Sequence, residues 1–432
     1  IRNAQIPCDV KEFLEDMAGA RRGVFDAPYR HQVDSLESYW ARDDVLVSTG
    51  TGSGKTECFM WPMLSKLAHE ASTKPDSWED RAVRAVVLYP MNALVADQMA
   101  RLRHMVGCSD GGFTPIWRKS CGGARRPQFG MYTGRTSYAG KGRMPRRDKV
   151  LADSLTRSYL DLSEEGRKAL RDYGKYPEKV SLEAFVKKLR EKDVDPWDPE
   201  DAELISRFEM QRHIPDILIT NYSMLQLMLI RPVERSIWDA TGRWLRDNPD
   251  ERLLIVIDEA HMYKGAPGGE VALLIRRLVD KIGASTDLIS FILTSASIPG
   301  DTTPVKRFFS DLTGKGSKRL SIITGSKLEI SDVGCRELNA KDISAISIPK
   351  GNCKDSGLQH VIRNFSDALG LNYDKSMSIR DTRKWLGSEL RHIGCYRRLE
   401  RSLRDGQAHT LRELASSAFP CASHEHASNA VD

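Results

Sequence analysis

The sequence predicts an α/β fold: a parallel sheet with helices on both faces, a basic and helical insertion, and a mainly helical C-terminal extension. Three observations predict it. Residues 44–48, 85–89, 253–257 and 289–293 are short, nearly continuous apolar runs, which suits strands buried on both faces. Segments with helical spacing alternate with these runs. A glycine-rich turn joins the first run to its helix, the strand–loop–helix order that a phosphate loop requires.

Taken in order, residues 1–24 form a helical preamble, with amphipathic spacing over 10–18 and Gly19 and Gly23 marking its end. A second helix is predicted over 29–40, with Val33, Leu36 and Trp40 on one face. The strand Asp44–Ser48, the turn and a helix over 55–69 follow, then the strand Ala85–Tyr89 and a helix over 94–104. Residues 108–211 break the alternation. They are rich in glycine and arginine at first and charged and helical later, and so are expected to be an insertion. The strands Leu253–Ile257 and 289–293 complete the pattern. Beyond them, 331–432 is expected to be mainly helical, for example over 378–403 and 410–418, with a polar, frayed end at 423–432. The expected domains are 1–24, 25–330 and 331–432.

The chain has 432 residues, enough for two or three domains. Its net charge of +6 leans toward an acidic partner. No apolar run approaches the length of a membrane span, so no membrane partner and a cytoplasmic location are expected. The eight cysteines are scattered without a C-x-x-C, and the nearest pair is Cys108 and Cys121. They read as thiols rather than disulfides, and a zinc site there has no spacing signature. Ile1 is not a start methionine, so a piece of a longer protein is expected.

The run Thr49-Gly50-Thr51-Gly52-Ser53-Gly54-Lys55-Thr56 carries the most specific chemistry. Glycines let successive backbone N–H groups turn inward on phosphate oxygens, and the helix that opens there adds the positive end of its dipole. Thr51, Gly52, Ser53 and Gly54 would cradle the phosphates, Lys55 would supply a full charge, and Thr56 would ligate Mg²⁺. Thr49 stands where the strict pattern has glycine. A glycine-rich turn with a chance Gly-Lys-Thr is the bland alternative, and the flanking strand and helix argue against it. Asp258-Glu259-Ala260-His261 directly follows a buried strand, so its carboxylates belong at the carboxyl edge of the sheet, where ligands of open α/β folds bind. Asp258 would hold the metal, Glu259 would orient the attacking water, and His261 would sense the terminal phosphate. Alone, a strand ending in Asp-Glu is also compatible with a solvated cap.

These residues resemble superfamily 2 helicases of the DEAD/DEAH type, over 29–325 apart from the insertion. The resemblance implies a RecA-like lobe that uses ATP and Mg²⁺. It implies that Gln32 reads adenine with Tyr29 packed nearby. Tyr89-Pro90-Met91-Asn92-Ala93-Leu94 with Asp97-Gln98 matches the family's motif Ia, where Pro90, Asn92 and Gln98 would meet nucleic-acid phosphates. The local alternative is that Pro90 stops the strand and Asn92 caps the next helix. Tyr132-Thr133-Gly134 and Thr220-Asn221-Tyr222 are similar to further backbone-contacting turns, and plain turns remain an alternative. Thr294-Ser295-Ala296-Ser297 matches motif III, whose Thr294 and Ser295 would couple the carboxylates to the nucleic-acid side.

The wording TGTGSGKTE, YPMNALVADQ, MYTGRT, ITNYSML and DEAHMYKGAPGGEVALLIRRL is similar to large bacterial helicases that carry a DUF1998-type domain. Helicases of the Druantia anti-phage system resemble it most, with those of DISARM close. The resemblance implies a fragment of an ATP-dependent DNA helicase or translocase holding the first motor lobe, in bacterial anti-phage defence. Its partners would be single-stranded or forked DNA, read through the backbone, and other defence-system subunits. A DNA-repair helicase and a nucleotide-gated clamp or scaffold with little unwinding are the alternatives.

No Q-x-x-G-R-x-x-R stretch follows residue 300, so the arginine-bearing second lobe is expected to be absent and the fragment nearly inactive. Arg391, Arg397, Arg398 and Arg401 read instead as a charged helical face. Between Arg118 and Lys149 a dense run of cations surrounds Trp117, Phe129, Tyr132 and Tyr138. That pattern suits phosphate contact with aromatic stacking on single-strand bases, and a solvated loop is the alternative. Thr410 with Glu413 reads as a helix cap.

Overall fold

Strands this apolar need cover on both faces, and the computed structural model supplies it. It describes residues 1, 3–50, 52–108, 111–138, 145–191, 194–263, 265–296, 302–325, 335, 337, 366, 379–403 and 409–420. Among them, β1 (Asp44–Ser48), β2 (Ala85–Tyr89), β3 (Phe129–Tyr132), β4 (Glu203–Leu204), β5 (Ile217–Asn221), β6 (Leu253–Ile257), β7 (Ile289–Ser295) and β8 (Leu320–Thr324) form one sheet. Its order is β4-β3-β5-β2-β6-β7-β1-β8. Every pairing is parallel. This is a RecA-like α/β architecture.

Side chains alternate between the faces along each strand. Val45, Val47, Ala85, Val87, Ile217, Ile219, Leu254, Val256 and Ile292 join one core. The helices α1 (Cys8–Gly19), α2 (Arg30–Trp40), α3 (Glu57–Thr73), α4 (Pro75–Glu79), α5 (Asn92–Val106) and α6 (Phe113–Cys121) all contribute to it. Leu46, Val86, Leu88, Leu218, Ile255, Ile257, Phe291 and Leu293 join a second core with the helices Tyr222–Ile230, Arg235–Asp247, Ala266–Ile282 and Thr302–Thr313. The preamble helix α1 is thus part of the first core: Val10, Phe13, Leu14 and Met17 are buried.

Residues 108–211, expected to be a basic and helical insertion, also contribute two strands. β3 and β4 extend the sheet at one edge, with Phe129 paired to Ile217. Pattern reading missed them because β3 contains Gly130 and β4 spans only two residues. A small satellite core, including Ala152, Tyr176, Phe185 and Leu189, gathers the helical remainder.

Two compact units divide the chain, 1–326 and 327–432. Within the second, helices span Ile379–Leu390, Gly394–Leu403 and Leu411–Ala418. Thr410 caps the last of these, accepting from the Glu413 N–H at 3.3 Å while Glu413 accepts from the Thr410 N–H at 2.8 Å. Arg397 pairs with Glu400 at 3.2 Å and Arg398 with Glu337 at 2.7 Å, as a charged helical face would. The expected frayed end at 423–432 lies outside the described residues.

Candidate functional site

Strand order decides which motifs meet. β6, β7 and β1 are neighbours, and at their carboxyl ends stand Asp258, Thr294–Ser295 and the glycine-rich loop. Register pairs Val47 with Thr294 and Ser48 with Ser295, so the two turns leave the sheet at one level.

The loop is braced from within and from α2. Gly52 and Gly54 sit at φ +73° and +76°, a left-handed conformation that favours glycine. A Cβ at Gly54 would come within 2.5 Å of the Gln32 amide nitrogen. Gln32 is buried and uses both ends of its amide. Its Nε2 donates to Gly54 O at 3.1 Å, and its Oε1 accepts from the Tyr29 N–H at 3.0 Å. The amide therefore holds the loop rather than standing open. His31 does the same one residue earlier, its Nε2 lying 2.9 Å from Ser53 O. Sequence reasoning missed His31; its position beside Gln32 was the available signal. Tyr29 is exposed and stacks on His31 with ring centroids 5.5 Å apart. Thr49 and Ser53 hydroxyls lie 2.6 Å apart, so the hydroxyl at the departing position ties the loop shut. Thr51 lies outside the described residues.

The Lys55 ammonium donates to Thr49 O at 3.3 Å and stands 4.0 Å from Glu259 Oε1. Glu259 has φ +52°, a left-handed conformation unusual for a side-chain-bearing residue. That turn aims its N–H at Asp258 Oδ1, 3.0 Å away, and at Thr294 Oγ1, 3.2 Å away. The Thr294 hydroxyl donates to Asp258 Oδ1. Burial pushes the Asp258 carboxyl above its ordinary range; the Thr294 hydrogen bond opposes this, and the Glu259 charge adds to the rise. A desolvated carboxylate of this kind favours a nearby cation. His261 Nδ1 lies 3.1 Å from Glu259 Oε2 and accepts from the Ala296 N–H at 3.3 Å, linking the two turns. Ser297 lies outside the described residues.

Several buried polar atoms around this cluster have no hydrogen-bond partner among the described residues. They are Glu57 Oε2, Tyr89 Oη, Gln98 Oε1, Tyr263 Oη and Ser295 Oγ. Burial, reinforced by Asp258, raises both tyrosine hydroxyls. Buried polar groups are nearly always satisfied, so such a concentration suits a site for polar ligands. The oxygen donors of Thr56 and Asp258 suit Mg²⁺, which takes one or two protein oxygens and completes its shell from phosphate and water. No group of three or more metal-ligating side chains occurs among the described residues.

The other half of the carboxyl edge comes from β2, β5 and β3, also neighbours. Asn92 does not cap α5, whose N-cap is Met91. Its Oδ1 instead accepts from Asn221 Nδ2 at 2.5 Å, tying the turn after β2 to the end of β5. Asn221 caps the next helix, accepting from the Met224 N–H at 2.8 Å. Thr220 is buried and donates to Tyr132 O at 2.7 Å, and Thr133 is buried with its carbonyl held by Arg207 at 2.7 Å. These threonines shape turns and present no side chain outward. Gly134 is exposed, Pro90, Asn221 and Tyr222 are partly so, and the Tyr222 hydroxyl donates to Glu270 at 2.9 Å. Gln98 is turned away from this surface: it is buried, and its Nε2 faces Thr56 Oγ1 at 3.5 Å.

The basic stretch is also corrected in part. Arg125 grips the buried Asp216 carboxylate with two bonds of 2.8 Å, and Arg126 donates to Val106 O at 2.6 Å. Trp117, Phe129 and Tyr132 are buried, so none is a stacking platform. They were needed by the core that β3 and α6 close. Arg118, Arg135 and Lys149 remain exposed. Residues 139–144, with Lys141 and Arg143, lie outside the described residues.

Comparison with known proteins adds kinship to this geometry. A DEAD/DEAH box helicase family model matches residues 29–126. Druantia protein DruE of Escherichia coli (strain UMEA 4076-1) is 37% identical over 461 aligned residues, covering 99% of this chain and 25% of that protein. The chain thus spans about a quarter of that relative's length. The uncharacterized ATP-dependent helicase YprA of Bacillus subtilis (strain 168) is 30% identical over 87 residues, 20% of this chain and 10% of that protein. Among solved structures, the DUF1998 helicase MrfA bound to DNA superposes with a TM-score of 0.41 at 17% identity, over 89% of this chain and 43% of that one.

Proposed function

From the premise that this chain carries a DEAD/DEAH box helicase domain and is related to Druantia protein DruE, we propose that it is the first motor lobe of an ATP-dependent DNA helicase or translocase acting in bacterial anti-phage defence. One observation carries the reading. The phosphate loop, the Asp258–Glu259 carboxylates and Thr294 meet on neighbouring strand ends, with the Lys55 ammonium 4.0 Å from Glu259.

In this reading the loop N–H groups and Lys55 hold the ATP phosphates, and the exposed Tyr29 ring packs on adenine. Thr56 and Asp258 would hold Mg²⁺, which would supply positive charge against the phosphate oxygens. Glu259 accepts the proton of the attacking water, and the Lys55 ammonium beside it helps fix the carboxylate's direction. Thr294, bonded to Asp258 and reached by the Glu259 N–H, carries changes in that cluster into β7. The turns after β2, β5 and β3 grip a DNA backbone rather than its bases, so sequence preference is low. An arginine from a second lobe completes the site. Hydrolysis by this chain alone is accordingly slow, by about 10³–10⁵-fold.

Strand displacement by the whole protein tests the reading, with wild type compared to Glu259→Gln. Loss of unwinding with DNA binding retained supports the motor. Equal, negligible unwinding by both, with phage protection intact, would replace the motor by a nucleotide-gated clamp.

A further inference from the structure

The edge of the sheet opposite the carboxylates carries a second concentration of charge. A cavity of about 370 Å³ opens among Arg42, Arg252, Lys315, Lys318 and Arg319, with Asp44 and Asp287 the acids on its wall. Asp44 is spoken for by Lys315, 2.8 Å away, and by the Phe291 N–H, also 2.8 Å away. Arg42, Arg252, Lys318 and Arg319 have no carboxylate within ion-pair distance among the described residues. Four cations thus line a small concavity against the single uncommitted acid Asp287.

The arrangement is built, not incidental. Arg252 immediately precedes β6 and is half-buried, donating to Arg42 O at 3.2 Å. Arg42 occupies a left-handed turn at φ +66° just before β1 and donates to Asp250 O at 3.3 Å. Burial first, and then repulsion from Arg42, hold the Arg252 guanidinium below its ordinary value, and Arg319 adds to the repulsion. Gly314, at φ +76°, and Gly316 flank Lys315 in the run Gly-Lys-Gly-Ser-Lys-Arg, so backbone comes to the cavity without side-chain cover. Like charges held together at a cost in solvation and repulsion are stabilised by a bound anion.

We propose that this cavity is a second phosphate site, at the amino ends of β1, β6, β7 and β8. It is separated from the candidate nucleotide site by the length of a five-residue strand, roughly 16 Å. Arginine forks over a compact, glycine-opened pocket match a tetrahedral oxyanion. The phosphate comes either from a nucleic-acid backbone passing this edge or from a free phosphate compound. The site does not depend on the motor reading.

The test uses Lys55→Ala protein, in which the phosphate loop is weakened, and adds Lys318→Gln with Arg319→Gln, both at exposed positions. Pyrophosphate and a short oligothymidylate are titrated calorimetrically, with thermal midpoints checked for equality. A pyrophosphate affinity lower by about tenfold or more supports the site and names a free phosphate as its ligand. A salt slope for the oligonucleotide smaller by about two supports it and names the backbone. Arg42→Gln, tested separately, reproduces either loss. Unchanged binding of both ligands overturns the proposal. So does binding of polyglutamate, lost in the variant, with neither phosphate ligand affected; that result assigns the cavity to an acidic polypeptide.

Discussion

The Gln98 amide nitrogen faces the Thr56 hydroxyl at 3.5 Å, so a residue of the turn-and-helix after β2 reaches the loop after β1. The contact runs from the candidate nucleic-acid half of the edge to the candidate nucleotide half. Gln98→Ala is expected to weaken nucleotide binding about two- to tenfold, the worth of one hydrogen bond, and to leave DNA affinity unchanged. Fluorescent-nucleotide titration beside DNA anisotropy checks it. A fall in DNA affinity alone would return Gln98 to the surface role its motif suggests.

Glu259 is the residue with the clearest expected loss. Glu259→Gln keeps the side chain's shape and removes the proposed base. Steady-state ATPase of the whole protein should fall about 10²–10⁴-fold, with nucleotide affinity within a few-fold of wild type. Equal loss of binding and turnover would show that the carboxylate acts on the ground state.

Asn221 does two jobs at once, capping its helix and holding Asn92. Asn221→Ala should destabilise the protein by about 0.5–2 kcal/mol through the lost cap. Urea denaturation measures that cost. The link to Asn92 predicts an additional fall in DNA affinity, which Asn92→Ala should share without losing the cap.

Glu70 sits in the core, held by Arg84 at 3.0 Å, Lys66 at 3.4 Å, Ser77 at 2.7 Å and Trp244 at 3.0 Å. Burial alone would raise its carboxyl, but Lys66 and Arg84 outweigh it and lower the value from 4.5 to about 2. A folded value below the unfolded one means the stabilisation is complete above about pH 4.5. It is lost as pH falls toward about 2. Glu70→Ala should cost about 1–3 kcal/mol at neutral pH, because Arg84, Lys66 and Trp244 lose a buried hydrogen-bond acceptor while Lys66 keeps Glu251 at 3.2 Å and Arg84 keeps Asp216 at 3.5 Å. Denaturation curves across that window should steepen for wild type and stay flatter for the variant.

Much of the fold was legible because its strands are buried on both faces. β1, β2 and β6 have the bounds that continuous apolar runs predict. The phosphate loop and the Asp-Glu pair were legible for a related reason, since glycine spacing and strand-end carboxylates are local features. β3 and β4 were not, because a strand of four residues with a glycine, and an edge strand of two, leave no periodic trace.

By itself, then, the sequence determined the α/β class, several of the central strands and the identities of the residues that gather at the strand ends. Tertiary structure decided which of them face one another. It turned Gln98 and Gln32 inward to the loop, committed Arg125 to Asp216, and buried Trp117, Phe129 and Tyr132. The physical reason is that a side chain's partner depends on strand order and on which face of the sheet needs filling. Neither is written in local spacing: residues 56 and 98, or 125 and 216, become neighbours only when the sheet closes.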